Sequence, residues 1–155
     1  MLKLSVFEFV FRAMPESFIY MFAIYSFSKT IVDKKKYLLS AFLMVICVFV
    51  IRMLPINYGV HTILNIIMAI VITCTVSKID ILKSIKASIT MIIILFICEG
   101  VNVGLLSLIL GSKLDKVLSD TVMKTIYGLP SLILFGIIIS SYYIILKKRD
   151  RLSYV

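Results

Sequence analysis

The sequence predicts an all-α fold: a polytopic membrane bundle of about five transmembrane helices with one interfacial amphipathic helix. Three observations carry this. The chain is 61% hydrophobic with a mean hydropathy of +1.10, well above the roughly 45–50% apolar content of soluble domains. Its apolar residues gather into five segments, most of them near the ~20 residues that cross a bilayer as a helix. Its lysines and arginines gather in the joins between those segments. The joins are short, so the 155 residues are expected to form a single integral membrane domain, 1–155.

The first segment runs from Val6 to Ser28 and is interrupted by Arg12 and by Pro15-Glu16. It reads as a retained span, because the apolar core of a cleavable signal does not hold Glu8, Arg12 and Glu16. The second, Tyr37–Leu54, is closed by Arg52 and Pro55, and the third is His61–Ser77. The fourth, Ala87–Leu110, is among the most apolar stretches of the chain. The fifth is Pro130–Leu146, with the proline expected in the first helical turn, where its missing N–H costs little. Between the last two, Leu114, Val117, Leu118, Val122 and Ile126 recur at helical spacing while Lys113, Lys116, Asp120 and Lys124 take the other faces. That pattern predicts the interfacial helix, either a plain cap on the bundle or a lid for an arriving ligand.

Charge orients the bundle. Lys29, Lys34, Lys35, Lys36, Lys78, Lys83, Lys86, Lys147, Lys148, Arg149 and Arg151 fall on one side of a five-span chain, against Lys3, Lys113, Lys116 and Lys124 on the other. The positive-inside rule then puts the N-terminus outside and the C-terminus in the cytoplasm of a cell-membrane protein. The net charge of +9 is assigned to this anionic surface and not to nucleic acid, since no basic run is interleaved with aromatics on a polar face.

Glu99 is the most informative single residue. A carboxylate at mid-span costs roughly 2.5–3.5 kcal/mol on insertion scales unless it is compensated. Arg12, Arg52, His61, Asn65 and Asn102 are its prospective partners, with Arg52 expected first and Arg12 second. Glu8, Arg12 and Glu16 are one turn apart and share a face, as do His61 and Asn65, and Glu99 and Asn102. All of these groups lie from mid-depth outward, whereas the inner halves read as almost purely aliphatic. The asymmetry points to an outward-facing ligand pocket built from Arg12, Glu16, Arg52, His61, Asn65, Glu99 and Asn102. The alternative is that these groups only neutralise one another and fix helix register. Gly100 and Gly104 form a Gly-x-x-x-Gly pair, expected to make the fourth segment a packing hub.

Enzymatic readings find little purchase. His61 and Cys74, thirteen positions apart on one segment, would stand about 20 Å apart along a helix, too far for a nucleophile and its base. With one histidine there is no ligand set at metal spacing and no phosphate-binding glycine loop, so no metal or cofactor is expected. The three cysteines all lie in apolar segments and read as small buried hydrophobes.

The stretches RMLPINYGVHTILNIIMAIV (Arg52–Val71), ICEGVN (Ile97–Asn102) and YGLPSLILF (Tyr127–Phe135) resemble the membrane-sensing region of accessory-gene-regulator-type histidine kinases. They are also similar to small clostridial-type membrane proteins. The resemblance implies a multi-helix region that senses an extracellular peptide and passes the signal to a cytoplasmic kinase. This sequence runs nine residues past Leu146 and carries neither a phosphoacceptor histidine nor an ATP-binding domain, so kinase activity is not carried over. The expected function is a non-enzymatic sensor or binding module for an extracellular peptide or small molecule. It would act through a cytoplasmic signalling partner or a homo-oligomer. A small transporter, or its membrane subunit, is the second expectation, and a structural or assembly role the third.

Overall fold

The computed structural model describes residues 8–54, 58–111, 117 and 119–153. They form an all-α bundle of five helices with no strand. Helix α1 is Met14–Phe27, entered without a break from a π-helical turn at Phe9–Ala13. Helices α2, α3, α4 and α5 are Lys34–Met53, Tyr58–Thr75, Ile81–Leu110 and Thr121–Lys148.

Aspartates start three of them. The Asp33 carboxylate accepts from Lys35 N, that of Asp80 from Leu82 N and Lys83 N, and that of Asp120 from Val122 N and Met123 N. Each cap satisfies amides that have no partner inside the helix. Asp80 begins α4 at Ile81, ahead of the Ala87 expected from hydropathy, so the apolar run continues out of a more polar first turn. Asp120 does the same for α5. Residues 121–127, expected as part of a separate interfacial helix, belong to the last long helix, and Pro130 lies inside it instead of at its start. Residues 112–116 and 118 of that expected helix lie outside the described residues.

A proline at this position removes one backbone donor and crowds the carbonyls a turn before it. Side-chain donors reach the carbonyls of the adjoining turn. Asn102 Nδ2 on α4 donates to Tyr127 O at 2.8 Å, and Ser131 Oγ donates to Gly128 O at 2.7 Å. Borrowed donors of this kind are how apolar helices tolerate proline without water.

Helix α1 is the centre. It packs against each of the other four, and its Met21, Ala23, Ile24 and Tyr25, with Ala13 of the preceding π turn, are buried to 1% exposure or less. The ring around it turns large apolar side chains outward: Phe42 and Phe49 on α2, Ile63 and Ile67 on α3, Ile93 and Ile97 on α4, Ile133 and Ile137 on α5. Apolar belts on this scale mark contact with lipid or another apolar phase. Among the described residues, three helical stretches are long and apolar enough to cross a membrane: Lys34–Met53, Ile81–Leu110 and Val122–Lys148. The chain reads as a membrane protein on that basis. The expectation of five spans is narrowed, because Gly59–Thr75 is a shorter apolar helix and α1 has only 14 residues. The charges Glu8, Arg12 and Glu16 that interrupt the first apolar run lie in the π turn and at the start of α1.

Two further expectations are corrected. A Cβ built on Gly100 or Gly104 meets nothing within 4 Å, so within this chain the pair packs no helix; it faces outward. The far ends of the helices are also not purely aliphatic. Ser26, Ser28, Thr30, Ser40, Thr73, Ser77, Ser84 and Ser88 are buried there. Ser40 and Ser77 share a hydrogen bond of 3.0 Å, and the Thr73 and Ser84 hydroxyls meet at 3.2 Å. At this end Ser153 straps back, donating N–H to Lys29 O at 2.8 Å and accepting from Ile31 N at 3.0 Å.

Candidate functional site

Toward the opposite end, the start of α1, the end of α2, the start of α3, the middle of α4 and the start of α5 converge. Between them is a cavity of about 330 Å³. The antiparallel order of the helices brings these stretches to one end, and the polar residues in them come from all five helices.

The π turn and the first turns of α1 present Glu8, Arg12 and Glu16 to this cavity, as the one-turn spacing requires. The ion pairs cross between helices. Arg12 Nη2 meets Glu99 Oε1 on α4 at 3.0 Å. Arg52 on α2 meets Glu8 Oε1 at 3.2 Å and Glu16 Oε2 at 3.6 Å. The expected first partner of Glu99 is thereby corrected. Arg52, at the end of α2, faces the two carboxylates of α1, and Arg12 is the group that reaches across to α4. Tyr20 Oη, one turn below Glu16, donates to its Oε1 at 2.8 Å.

These pairs are only part-buried. The side chains of Arg12 and Glu99 are 20% and 34% exposed, and that of Glu16 is 14% exposed. Charge-assisted hydrogen bonds of this length offset much of the cost of removing each group from water, and the residual exposure reduces that cost further. The cluster is therefore a sustainable one at the end of an apolar bundle.

Arg12 reaches Glu99 through a notch in α5. A Cβ on Gly128 would stand 2.8 Å from Arg12 Nη1 and 3.2 Å from its Cζ. A side chain there would require the guanidinium to shift from its place beside Glu99. Lys124, one turn before Gly128, also lines the cavity, as do His61, Thr62 and Asn65 from α3. Asn65 Oδ1 and Glu16 Oε2 are buried acceptors with no hydrogen-bond donor among the described residues, Glu16 Oε2 being held by Arg52 alone. The floor is apolar: Ile92, Leu95 and Phe96 of α4.

Of the seven residues expected to bind ligand, six line this one cavity: Arg12, Glu16, Arg52, His61, Asn65 and Glu99. Asn102 does not. It is spent on the Tyr127 carbonyl beside Pro130. Sequence reasoning left Glu8, Tyr20, Thr62, Lys124 and Gly128 out of the site. Tyr20 was within reach, standing one turn from Glu16, whereas the Gly128 notch carries no one-dimensional signal at all.

A second cavity of about 310 Å³ lies at the hydroxyl-rich end, between Tyr25, Thr30, Asp33, Lys36 and Ser77. Between the two ends, α1, α2 and α4 each place a fully buried methionine: Met21, Met44 and Met91. Among the described residues, no three of His, Cys, Asp or Glu stand close enough to share a metal ion. The chain matches no protein-family model, no curated protein and no solved structure.

Proposed function

We propose that the chain is a non-enzymatic membrane sensor or binding module whose charged cavity takes a small ligand from the outer side. The observation that carries this is convergence. Six residues chosen for their charge or polarity in apolar sequence line one cavity contributed by all five helices. Purely structural pairing asks for no open space between the partners, and this cluster encloses about 330 Å³, within the range of small-molecule sites. A cavity of that size suits a small molecule or the end of a peptide. The lysine and arginine asymmetry orients the cavity outward, with the N-terminus outside and the C-terminus in the cytoplasm. The resemblance to the sensing region of peptide-responsive kinases favours signalling through a cytoplasmic partner or a second copy.

A transporter is the second reading, and the buried hydroxyls at the other end favour it, since they supply polar groups where an aliphatic inner half would supply none. The packed methionine layer between the two ends weighs against an open route. Reconstitution in liposomes separates the two. The sensor reading expects no specific flux of ions or small solutes, together with saturable ligand binding that His61→Ala and Asn65→Ala abolish without changing insertion or melting. Saturable flux blocked by Glu99→Gln would replace the sensor with a carrier. Binding and response unaffected by the His61 and Asn65 substitutions would leave only a structural role.

A further inference from the structure

The cavity at the hydroxyl-rich end, lined by Tyr25, Thr30, Asp33, Lys36 and Ser77, is rich in donors. Tyr25 is 1% exposed, and its buried Oη has no hydrogen bond among the described residues. The hydroxyls beside it, Ser40 and Ser77, bond to each other at 3.0 Å instead. Thr30 Oγ1 accepts from Ser28 Oγ at 3.0 Å, and its own proton meets only the Ser28 carbonyl, at 3.5 Å. Lys36 is partly buried and makes no ion pair among the described residues. A buried hydroxyl without a partner is costly, and an acceptor from outside the chain removes that cost. The wall is also held in place. Besides the Ser153 strap on Lys29 and Ile31, Val32 N donates to Tyr143 Oη on α5 at 3.2 Å.

Charge decides which class of acceptor fits. The stretches 29–36, 78–86 and 147–151, which meet at this end, carry eleven lysines and arginines against three aspartates. Asp33, the carboxylate beside the cavity, is exposed and accepts from Lys35 N as the cap of α2. From this we infer that the cavity seats a phosphate group, carried either by an anionic lipid headgroup at this membrane surface or by a soluble phosphate. An ionised phosphate brings several strong acceptor oxygens and negative charge. Its oxygens match the Tyr25, Thr30 and Ser77 hydroxyls, each able to donate one proton, and its charge matches the Lys36 ammonium. Lysine and arginine clusters beside a span attract anionic headgroups in general; the buried hydroxyls turn that attraction into a defined seat. The inference goes beyond the binding reading given for the outer cavity and stands independently of it.

The test uses the full chain in detergent micelles and isothermal titration with three probes: sodium phosphate, dioctanoyl-phosphatidylglycerol and the zwitterionic dioctanoyl-phosphatidylcholine. The expected result is saturable binding of sodium phosphate or phosphatidylglycerol, at least about tenfold tighter than phosphatidylcholine. Binding of sodium phosphate itself supports a soluble source, and binding of phosphatidylglycerol alone supports a lipid one. Tyr25→Phe keeps the ring and its edge contact with Tyr37 and removes only the hydroxyl. It should weaken binding about tenfold, the worth of one charge-assisted hydrogen bond, while the melting temperature without probe stays the same or rises. Lys36→Gln should weaken binding as well. Asp33→Asn, an equally good helix cap, should tighten it. Binding that survives both Tyr25→Phe and Lys36→Gln would be loose attraction to surface lysines and would overturn the site. Weaker binding in Asp33→Asn, equal binding of phosphatidylcholine, or no binding of either anionic probe to well-folded protein would overturn it too.

Discussion

The two ends of this bundle are both polar, but they are polar by different means. At one end Glu8, Glu16 and Glu99 are held by Arg52 and Arg12 across helices. At the other, hydroxyls satisfy themselves locally: Ser26 Oγ donates to Phe22 O, and Thr73 Oγ1 to Ala69 O. Formal charges cannot close their accounts within one helix. Each needs a partner from another, and several such partners leave space between them. A serine or threonine returns its proton to a carbonyl one turn back, so it enters an apolar core without a partner helix. The charged end depends on tertiary structure throughout, whereas the hydroxyl end combines bonds within single helices with the cross-element pairs Ser40–Ser77 and Thr73–Ser84.

The largest effect that could break this comparison is at Arg12. Arg12→Gln strips Glu99 of its cation. In a buried pair that costs about 3–5 kcal/mol, and less is expected here because Glu99 is 34% exposed. The sharper number is the coupling. A double-mutant cycle of Arg12→Gln with Glu99→Gln, read from detergent-titrated unfolding, is expected to give about 1–3 kcal/mol. The cycle of Arg52→Gln with Glu99→Gln should give close to zero. The reverse order would return Glu99 to Arg52 and overturn the ion-pair map.

Gly128 comes next. Alanine in a helix is ordinarily better than glycine by about 1 kcal/mol. Gly128→Ala should nonetheless lower the melting temperature and shrink the Arg12–Glu99 coupling, because its Cβ would stand 2.8 Å from Arg12 Nη1 and push the guanidinium away from Glu99. Gly100→Ala and Gly104→Ala, where nothing lies within 4 Å, are the controls and should be neutral or stabilising. Equal behaviour at all three positions would remove the notch from the account. A destabilised Gly100→Ala would instead mean that this face is covered by another molecule.

The smallest effects belong to the hydroxyl end. Ser40→Ala is expected to cost about 0.6 kcal/mol, the average for side-chain hydrogen bonds between membrane helices. The loss should not depend on whether Arg12 or Glu99 is present. Coupling between Ser40 and Glu99 would join the two ends into one network and favour the carrier reading.

This difference between the ends also explains what the sequence made legible. Charges in apolar stretches are conspicuous, so six residues that share the cavity stood out, and one-turn spacing put Glu8, Arg12 and Glu16 on one face. Pairing was not legible, since it depends on how α1 and α2 rotate against α4. Arg12 took the role expected of Arg52 for that reason. The buried hydroxyls passed as part of an aliphatic background because serine and threonine barely lower the hydropathy of a long segment. Asn102 was misplaced for a third reason: its partner is a main-chain carbonyl beside Pro130, and a proline's demand for outside donors appears only once the helix is seen to run through it. The helix count was readable. Span length was not, because Asp80 and Asp120 set the starts of α4 and α5 well away from the hydropathy boundaries.

The central claim is that the charged end is a cavity open to the outer aqueous phase. It is tested most directly at Thr62, which lines that cavity. Cys47, Cys74 and Cys98 are replaced, and a single cysteine is placed at Thr62 in intact cells or oriented vesicles. A membrane-impermeant maleimide is then applied from each side in turn. The account predicts labelling from the outside alone, slowed when the cavity is occupied by a bound ligand, while a cysteine at buried Ser40 stays unlabelled from that side. A Thr62→Cys variant that reacts only from the cytoplasmic side, or from neither, would contradict it.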